Sequence, residues 1–558
     1  MGTRIVIIGA NAAGAKAAAK ARRIDPGAEI TVVDRGEFIS YGACGIPYYV
    51  SDTVQEVAEL MSTPVGVMRD AAFFRKVKGV EVLTGMEAVA IGRKEKTVSL
   101  REDSTGAIRT LSYDRLVLAT GSSPVTLPLK GKELSGIFTV KTIEDAELLK
   151  EKASSSTRAC IVGGGLIGLE TAEALLERGL TVTLVEMRNQ LLPGVLDPEM
   201  ARIVEKHLAE KGVAIHVGCT VEGFDGNGRV ENVATTAGNV PANLVVLAPG
   251  VKPNVTLARE AGLEIGATGA IAVNERMQTS DPAIYACGDC CETTHLVTGQ
   301  KVHIPLGSTA NKQGRVAGIN VAGGDAAFAG VIGTAIVKVC DMNAGKTGLT
   351  ETEARSAGFM VETVLAPAPD RAHFFPGAKP IALKLVAEKE SGRILGLQAV
   401  GLGAVDKRID ASVAAITFGA TAAQLAQLDL AYAPPYAAAM DNLIVAADIL
   451  RNKLEGHARG IAPAEVKRKL DEGDDFILLD VRSPGEHSEV RIAGAKLVPL
   501  GALREKMEML PKDKEIVTFC KISLRGYEAQ KIMEAAGFGD VKFMDGGILT
   551  WPYDLERG

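Results

Sequence analysis

The sequence predicts an α/β protein built from several domains with parallel sheets. A chain of 558 residues exceeds what one hydrophobic core supports, and roughly 150 residues per domain gives about three to four domains. Residues 4–23 and residues 158–168 each begin as an apolar strand and continue through a glycine-rich turn into a helix. Strands and helices alternate again after residue 460. Such alternation is typical of parallel sheets covered by helices.

The composition is that of an ordered globular protein, with 47% hydrophobic, 23% charged and 4% aromatic residues. The net charge of -6 provides no global basic surface, so we expect no nucleic-acid partner. No apolar stretch long enough to cross a bilayer is free of Gly, Pro or charge, and the N-terminal apolar run reads as a strand rather than a signal peptide. We therefore expect no membrane association and a cytoplasmic location.

The first glycine-rich turn predicts a dinucleotide site. The strand Arg4–Ile8 leads into a turn from Gly9 to Gly14, and a second strand ends on Asp34, 20 residues beyond Gly14. A helix N-terminus offers free N–H groups and a positive dipole end to a pyrophosphate, and a carboxylate at this spacing accepts ribose hydroxyls. The predicted site residues here are Gly9, Ala10, Ala13, Gly14, Asp34 and Arg35.

The second turn matches the G-x-G-x-x-G pattern in full and predicts a second Rossmann-like site. It follows the strand 158–162, and the next strand leads to Glu186. Glu186 would bond the 2'-hydroxyl of NADH and repel the 2'-phosphate of NADPH. Arg188 offsets part of this repulsion, so NADH is expected to be preferred and NADPH to remain possible. The predicted residues are Gly163, Gly165, Leu166, Ile167, Gly168 and Glu186.

Further motifs indicate which site takes the flavin. The predicted strand 116–119 is followed by Thr120-Gly121, and the similar strand 244–248 is followed by Pro249-Gly250. A segment from Thr279 to Asp289 comes next. Over roughly residues 1 to 450, the chain resembles the two-dinucleotide flavoproteins that include glutathione reductase. This resemblance implies that the first site binds FAD, with Asp289 near the ribityl and phosphate groups. It adds four cofactor-binding candidates: Thr120, Gly121, Gly250 and Asp289.

Cys44 is the predicted redox residue. It lies in the segment Ser40–Tyr49, which has no C-x4-C pair, at the position where this family places its redox sulfur. The chain therefore resembles the single-cysteine branch of coenzyme A disulfide reductases, NADH peroxidases and NADH oxidases. The resemblance implies that a thiolate at Cys44 attacks a disulfide or persulfide.

Residues around Cys44 favour a sulfur substrate. The peroxidases and oxidases carry a histidine where this chain has Ala12, which cannot act as an acid or base. The resemblance implies a catalytic hydroxyl from Tyr432 of the other subunit of a homodimer. Ala43 stands where the family commonly has asparagine, and the segment His373–Gly377 lacks the hydroxyl of the family's second tyrosine. Both departures favour a better leaving group, such as a persulfide. Residues implied to bind coenzyme A (CoA) or another substrate are Lys20, Arg23 and Ser40.

The last hundred residues or so contain a second sulfur motif. A strand delivers Cys520 to the loop Cys520-Lys521-Ile522-Ser523-Leu524-Arg525, and Asp480, Arg482, Gly546-Gly547 and Trp551 occur in the order found in rhodaneses. This resemblance to a rhodanese domain implies that Cys520 carries a persulfide held by backbone N–H groups, with Arg525 closing the loop. The loop is one residue shorter than the C-x5-R loop of phosphatases, which suits one sulfur atom rather than a phosphate.

The eight cysteines are too sparse for a disulfide framework. Cys287, Cys290 and Cys291 form a C-x2-C-C cluster without a second pair at zinc spacing, so we predict a structural role and no metal. Cys160 and Cys219 lie in predicted strands and are expected in the core.

Together these features predict an NAD(P)H- and FAD-dependent reductase of CoA persulfide, CoA disulfide or polysulfide, with CoA as substrate or bound cofactor. Two alternatives are an NADH oxidase or peroxidase and a sulfur carrier or redox sensor with a structural flavin. The predicted divisions are residues 1–115 and 250–322 for FAD, 116–249 for NAD(P)H, 323–450 for an α+β dimerisation domain, 451–459 as linker and 460–558 for an α/β rhodanese domain.

Overall fold

The computed structural model describes residues 2–558. These residues form two compact units. The first contains the chain up to Met187 together with Val213–Val331, and the second contains Arg188–Gly212 together with Ile332–Gly558. Within residues 2–558, none of the helices combines the length and the apolar character needed to span a bilayer.

The first part of unit 1 is organised around the central strand β1. The strands are β1 (Arg4–Ile8), β2 (Glu29–Val33), β3 (Glu81–Leu83), β4 (Met86–Gly92), β5 (Thr97–Glu102), β6 (Ile108–Ser112) and β7 (Arg115–Leu118). The helices are α1 (Ala12–Ile24), α2 (Ile46–Val50), α3 (Val57–Leu60) and α4 (Ala71–Phe73). Strand β1 pairs in parallel with β2 and β7, which explains its nearly continuous apolar sequence.

The next stretch of the chain, residues 122–253, contains a second parallel sheet together with smaller antiparallel sheets. Its strands are β8 (Ser122–Pro124), β9 (Ile137–Phe138), β10 (Arg158–Val162), β11 (Thr181–Glu186), β12 (Ala214–Val217), β13 (Val221–Asp225), β14 (Asn232–Thr235), β15 (Gly238–Pro241), β16 (Leu244–Leu247) and β17 (Val251–Pro253). Its helices are α5 (Ile143–Ser154), α6 (Leu166–Glu177) and α7 (Pro198–Glu210). The order of the five parallel strands is β12-β11-β10-β16-β9.

The chain then returns to the first sheet. The elements are α8 (Thr256–Glu260), β18 (Ile284–Ala286), β19 (Thr293–Thr294), β20 (Lys301–Val302) and α9 (Gly307–Val321). The sheet order β18-β7-β1-β2-β3 includes β7, so residues 116–118 lie in the first sheet, whereas the sequence placed them in the second domain. Helix α9 packs so closely on α1 that its contact positions must be glycine. A methyl group on Gly314 or Gly318 would lie 2.3 or 2.4 Å, respectively, from a carbonyl oxygen of α1.

The middle of the chain forms an antiparallel sheet in unit 2. The strands are β21 (Ala335–Val339), β22 (Met342–Gly348), β23 (Val361–Pro369), β24 (Pro380–Glu388) and β25 (Ile394–Gly401), in the order β21-β22-β25-β24-β23. The helices are α10 (Glu351–Ser356), α11 (Asp406–Thr417), α12 (Ala422–Leu425) and α13 (Asn442–Leu454).

The segment 188–212, predicted to belong with the second sheet, lies in unit 2. The carboxylate of Asp197, just before α7, accepts hydrogen bonds from the backbone N–H groups of Glu351 and Thr352. It also forms an ion pair with the buried ammonium of Lys384, at 3.0 Å. These long-range contacts explain why α7 belongs to unit 2, although the residues before and after the segment 188–212 belong to unit 1.

The C-terminal part of unit 2 is a parallel α/β sheet. Its strands are β26 (Gly460–Ile461), β27 (Phe476–Asp480), β28 (Val490–Arg491), β29 (Lys496–Leu497), β30 (Glu515–Phe519), β31 (Val541–Met544) and β32 (Glu556–Arg557). Its helices are α14 (Pro463–Glu472), α15 (Pro484–Glu489), α16 (Leu503–Lys506) and α17 (Leu524–Ala535). The order β26-β31-β30-β27-β29 and the two parallel sheets of unit 1 confirm the predicted α/β class. Helix α13 continues to Leu454, so residues 451–454 are helical rather than linker.

Candidate functional site

The two glycine-rich turns of unit 1 have the same geometry. The first glycine of each, Gly9 and Gly163, has a φ of 107° and 115°. A methyl group on them would lie 2.1 and 2.2 Å from the carbonyl oxygens of Ala119 and Ala248. A methyl group on Gly14, the last glycine of the first turn, would lie 1.8 Å from the carbonyl oxygen of Gly9. A methyl group on Gly168 would lie 1.9 Å from the carbonyl oxygen of Gly163. Only glycine fits these positions, as the motif predicted.

Helices α1 and α6 start in a way that suits an anionic ligand. Neither N-cap residue, Asn11 or Gly165, makes a side-chain capping hydrogen bond, and neither first turn contains an acidic residue. The space where a side chain of Gly165 would point is open. Leu166 and Ile167 form the first turn of α6, and Ala13 lies in the first turn of α1. The free N–H groups and the helix dipole of each turn therefore fit a pyrophosphate.

A carboxylate reaches back to each turn from the end of the next strand. Asp34 accepts hydrogen bonds from the N–H groups of Ala10 and Gly36, over 2.6 and 2.9 Å, and burial raises the pKa of its carboxyl group. Glu186 accepts one from the N–H of Gly164 over 2.7 Å. Arg35, the neighbour of Asp34, is exposed. Each acid is therefore hydrogen-bonded to the backbone of its own turn.

The residues predicted near the flavin cluster at the carboxyl ends of β7 and β18, where ligands bind in such sheets. Asp289 accepts a hydrogen bond from Ser122 over 2.9 Å, and the ammonium of Lys141 lies 3.8 Å from its carboxylate. The hydroxyl of Thr120 donates to the carbonyl oxygen of Asn254. No described atom lies within 4 Å of a methyl group built on Gly121 or Gly250. This open space can accept a ligand.

Cys44 lies in the same unit, in a short 3-10 turn (Ala43–Gly45) just before α2. Among the cysteines of residues 2–558, it is the only exposed one. A methyl group on Gly307, the first residue of α9, would lie 3.9 Å from its Sγ, so the thiol faces the N-terminus of that helix. Partial burial and the negative charges of Glu170 and Asp289 raise the pKa of the Cys44 thiol. The dipole of α9 acts in the opposite direction and favours the thiolate.

Glu170 is a residue that the sequence analysis did not identify. It lies in α6, and burial together with the charge of Glu173 raises its pKa to about 7. The available signal was the spacing of Glu170 and Glu173, two of the three acidic residues of a largely apolar helix. His303 was also missed, and its Nε2 lies 2.8 Å from the carbonyl oxygen of Asp289.

The predicted substrate residues lie in unit 1, and the predicted catalytic tyrosine lies in unit 2. Lys20 is half-buried and Arg23 is exposed on α1. Ser40 has a φ of 52°, an unusual value for serine, and its N–H donates to the carbonyl oxygen of Ala10. Tyr432 lies in unit 2, in the exposed segment between α12 and α13.

The Cys520 loop lies between β30 and α17. Cys520 is fully buried, and Ser523 adopts a φ of 111° at the N-cap of α17. Instead of capping the helix, the hydroxyl of Ser523 accepts a hydrogen bond from the N–H of Gly546 over 2.7 Å. The side chain of Ser523 therefore does not cap the N-terminus of α17. The N–H groups and the positive dipole end of this helix can then stabilise an anion, such as a persulfide, in the loop.

Arg525 is held at the end of the loop by Glu486, a third residue that was not predicted from the sequence. Its guanidinium forms two hydrogen bonds with the Glu486 carboxylate, at 2.8 and 2.7 Å, and holds the pKa of that carboxyl at about 2. The negative charge of Glu486 and the sulfur of Cys520 raise the pKa of Arg525. The capping box formed by Ser483 and Glu486 at the start of α15 was the signal in the sequence.

The three clustered cysteines pack in the core of unit 1. Cys290 donates to the carbonyl oxygens of Leu118 and Cys287, and Cys291 donates to that of Gly288. Burial raises the pKa of all three thiols. These contacts are those of small core side chains.

Comparisons with known proteins agree with this geometry. A model of the pyridine nucleotide-disulphide oxidoreductases matches residues 3–314, a model of their dimerisation domain matches residues 334–444, and a rhodanese-like domain model matches residues 462–552. The NAD(P)H sulfur oxidoreductase (CoA-dependent) of Pyrococcus abyssi is 40% identical over 449 residues, which cover 80% of this chain and 98% of the relative.

Two solved structures resemble the chain over its whole length. The NAD-dependent persulfide reductase from A. fulgidus has 46% identity and a TM-score of 0.94, covering 98% of this chain and 100% of that one. Reduced CoADR-RHD of Bacillus anthracis has 35% identity and a TM-score of 0.93, covering 99% and 98%. The resemblance inferred from the sequence motifs is confirmed. The chain belongs to the pyridine nucleotide-disulphide oxidoreductase family and carries a C-terminal rhodanese-like domain.

Proposed function

We propose that this chain is an NADH-dependent flavoprotein that reduces CoA persulfide, CoA disulfide or polysulfide at Cys44, and that Cys520 handles sulfur as a persulfide. The observation that carries the proposal is the exposed thiol of Cys44 beside the N-terminus of α9, in a chain that also contains the closed Cys520 loop. The names of the P. abyssi and A. fulgidus relatives, a sulfur oxidoreductase and a persulfide reductase, support it.

The family implies FAD and NAD(P)H, and the residues of both turns fit these groups. Gly9, Gly14 and Asp34 would hold the ADP part of FAD, with Asp289 near its ribityl chain. The second turn and Glu186 would hold the nicotinamide cofactor, with NADH preferred to NADPH. When bound, FAD supplies the two-electron carrier between the nicotinamide and the sulfur of Cys44.

The chemistry at Cys44 begins with attack by its thiolate on the inner sulfur of a CoA persulfide. The S–S bond breaks, hydrosulfide leaves with the bonding electrons, and a Cys44–CoA disulfide forms. Two electrons from NADH and one proton then return the Cys44 thiolate and release CoA thiol. The overall reaction consumes NADH, a proton and the persulfide and yields NAD⁺, CoA thiol and hydrogen sulfide.

Other residues bind the substrate and complete the site. Lys20, Arg23 and Ser40 are proposed to contact CoA, because two cations on α1 complement its phosphates. The dimerisation domain supports a homodimer, in which Tyr432 of the other subunit would supply a proton to the leaving thiolate. The absence of an acid or base at Ala12 favours a sulfur leaving group over peroxide.

Anaerobic NADH oxidation with CoA disulfide, CoA persulfide and polysulfide tests the proposal. We expect Cys44→Ser to abolish turnover of all three substrates, and Cys160→Ser, which alters a core cysteine, to retain it. Full activity of Cys44→Ser would refute the proposal. Rapid NADH consumption with oxygen or peroxide alone would favour an oxidase instead, and no turnover without a protein acceptor would favour a sulfur carrier.

A further inference from the structure

A buried ion pair connects the Cys520 domain to the helix that precedes it. The ammonium of Lys453, in the last turn of α13, lies 2.9 Å from Oδ2 of Asp545, which follows β31. It also lies 3.0 Å from the carboxylate of Glu362 and donates to the carbonyl oxygen of Thr363, both on β23. All three donors of the ammonium are therefore used. The side chains of Lys453 and Asp545 are each 6% exposed.

Asp545 depends on this single partner. Its Oδ1 is buried and accepts no hydrogen bond from the described residues. A methyl group on Gly460 would lie 2.7 Å from Oδ1, so the carboxylate fits only because residue 460 has no side chain. Without Lys453, a buried carboxylate would be left unpaired and would have to take up a proton or leave its position.

The residues after Asp545 shape the Cys520 loop. The N–H groups of Ile548 and Leu549 donate to the carbonyl oxygens of Cys520 and Lys521, over 2.9 and 3.2 Å. The N–H of Gly546 donates to the hydroxyl of Ser523 over 2.7 Å. A methyl group on Gly547 would lie 2.5 Å from the carbonyl oxygen of Cys520. The segment 545–549 therefore forms one wall of the loop.

We propose that Lys453 is a positioning residue for sulfur transfer at Cys520 and acts through Asp545. The ammonium fixes the start of the segment 545–549, and that segment orients the loop that receives the sulfur. The rhodanese-like domain is therefore completed by a residue that lies before it in the chain. This inference rests on the proposed role of Cys520 and adds a residue to it.

Sulfur transfer from thiosulfate to cyanide, measured in the full-length flavoprotein, tests the inference. The Cys520 thiolate takes the outer sulfur of thiosulfate, sulfite leaves with the bonding electrons, and cyanide removes the sulfur as thiocyanate. We expect Lys453→Met to lower the transfer rate about 10- to 100-fold, because small displacements of reacting groups have effects of this size. Gly460→Ala, which displaces the carboxylate but keeps both charges, is expected to act in the same direction. Lys531→Met is the control, because it removes an exposed ion pair on α17.

A second variant distinguishes positioning from a general loss of structure. Asp545→Asn in the Lys453→Met background removes the unpaired buried charge and is expected to restore part of the transfer rate. The charged groups around Asp545 are Lys453 on α13, Glu362 on β23 and Lys384 on β24. In Lys453→Met alone, transfer relative to the unchanged enzyme should recover as the pH falls, since protonation neutralises Asp545. Cys44-dependent NADH oxidation should remain unchanged.

Any of the following three outcomes would overturn the inference. A normal transfer rate in Lys453→Met would show that the ion pair does not position the loop. An equal loss of transfer and NADH oxidation, without rescue by Asp545→Asn, would show that Lys453 only stabilises the fold. If transfer by the unchanged enzyme does not require Cys520, the proposed sulfur-carrying function fails, and the inference fails with it.

Discussion

Arg525 donates two hydrogen bonds to the carboxylate of Glu486, at 2.8 and 2.7 Å. The contact joins the end of the Cys520 loop to the first turn of α15, across 39 residues of sequence. Bidentate pairs of this kind hold a guanidinium in one orientation. The orientation of Arg525 beside Cys520 is therefore set by a residue outside the loop.

We expect Glu486→Gln to destabilise the protein by about 1 kcal/mol at neutral pH, a small value because the pair is partly exposed. The hydrogen bonds from Arg525 lower the pKa of Glu486 to about 2, from an ordinary value of 4.5. A lowered carboxyl pKa contributes stability above the unfolded value, and this contribution is lost as the pH falls towards 2. Unfolding of both proteins between pH 5 and pH 2 measures the difference. A difference that stays constant over this range would contradict the assignment, and Glu556→Gln, which removes an exposed pair with Arg491, is the control.

Gly165→Ala should weaken NADH binding without altering the fold. A methyl group at this position meets no protein atom within 4 Å, so it would occupy the space beside the uncapped start of α6. We expect the KM for NADH to rise about 10- to 100-fold, which corresponds to about 1.4–2.7 kcal/mol of lost binding. Steady-state kinetics and thermal unfolding measure the two effects. Gly501→Ala, also in open space, is the control, and an unchanged KM would place the pyrophosphate elsewhere.

Glu170→Gln should increase the reactivity of Cys44. The negative charge of Glu170 raises the pKa of the thiol, so removing it lowers that pKa and increases the thiolate fraction. The pKa of Glu170 is about 7, so the effect should be present above neutral pH and disappear below it. Alkylation by iodoacetamide of enzyme whose Cys44 thiol is free, followed by mass spectrometry, gives the rate. We expect a several-fold increase, on the order of 3- to 10-fold, and equal rates at alkaline pH would refute the coupling.

Lys384→Met should be the most destabilising of these substitutions. The ammonium of Lys384 is 3% exposed and pairs with Asp197, Glu199 and Glu351. Without this ammonium, three carboxylates share a buried site. Breaking a buried ion pair in this way costs about 3–5 kcal/mol of stability. Chemical denaturation measures the loss. Lys211→Met, which removes an exposed pair just after α7, is expected to leave stability nearly unchanged. Similar losses in the two variants would contradict this account.

The candidate site residues that were identified from the sequence have local signals. Gly9 and Gly163 stand at the same point of a strand, turn and helix, and the backbone conformation there requires glycine. Cys520 and Arg525 lie five residues apart in one loop. Glu170 and Glu486 were harder to identify, because each acts on a cysteine or arginine from a distant segment.

The charged segment after Asp448 shows why the remaining contacts could not be predicted. Its composition indicated a linker. The side chain of Lys453 is nevertheless buried and forms an ion pair with Asp545, which lies 92 residues further along the chain. The segment 188–212 likewise follows a strand of one unit and packs in the other. Neither arrangement leaves a periodic pattern in the sequence.

The sequence by itself determined the fold class and both glycine-rich turns, because backbone geometry and hydrophobic periodicity are encoded within about 30 residues. It also identified Cys44 and Cys520 as the cysteines proposed to handle sulfur. The tertiary structure alone decided that α7 pairs with Lys384, that Glu170 acts on Cys44, and that Lys453 supports the Cys520 loop. The energy of a buried charge depends on which distant segments surround it, and folding brings those segments together.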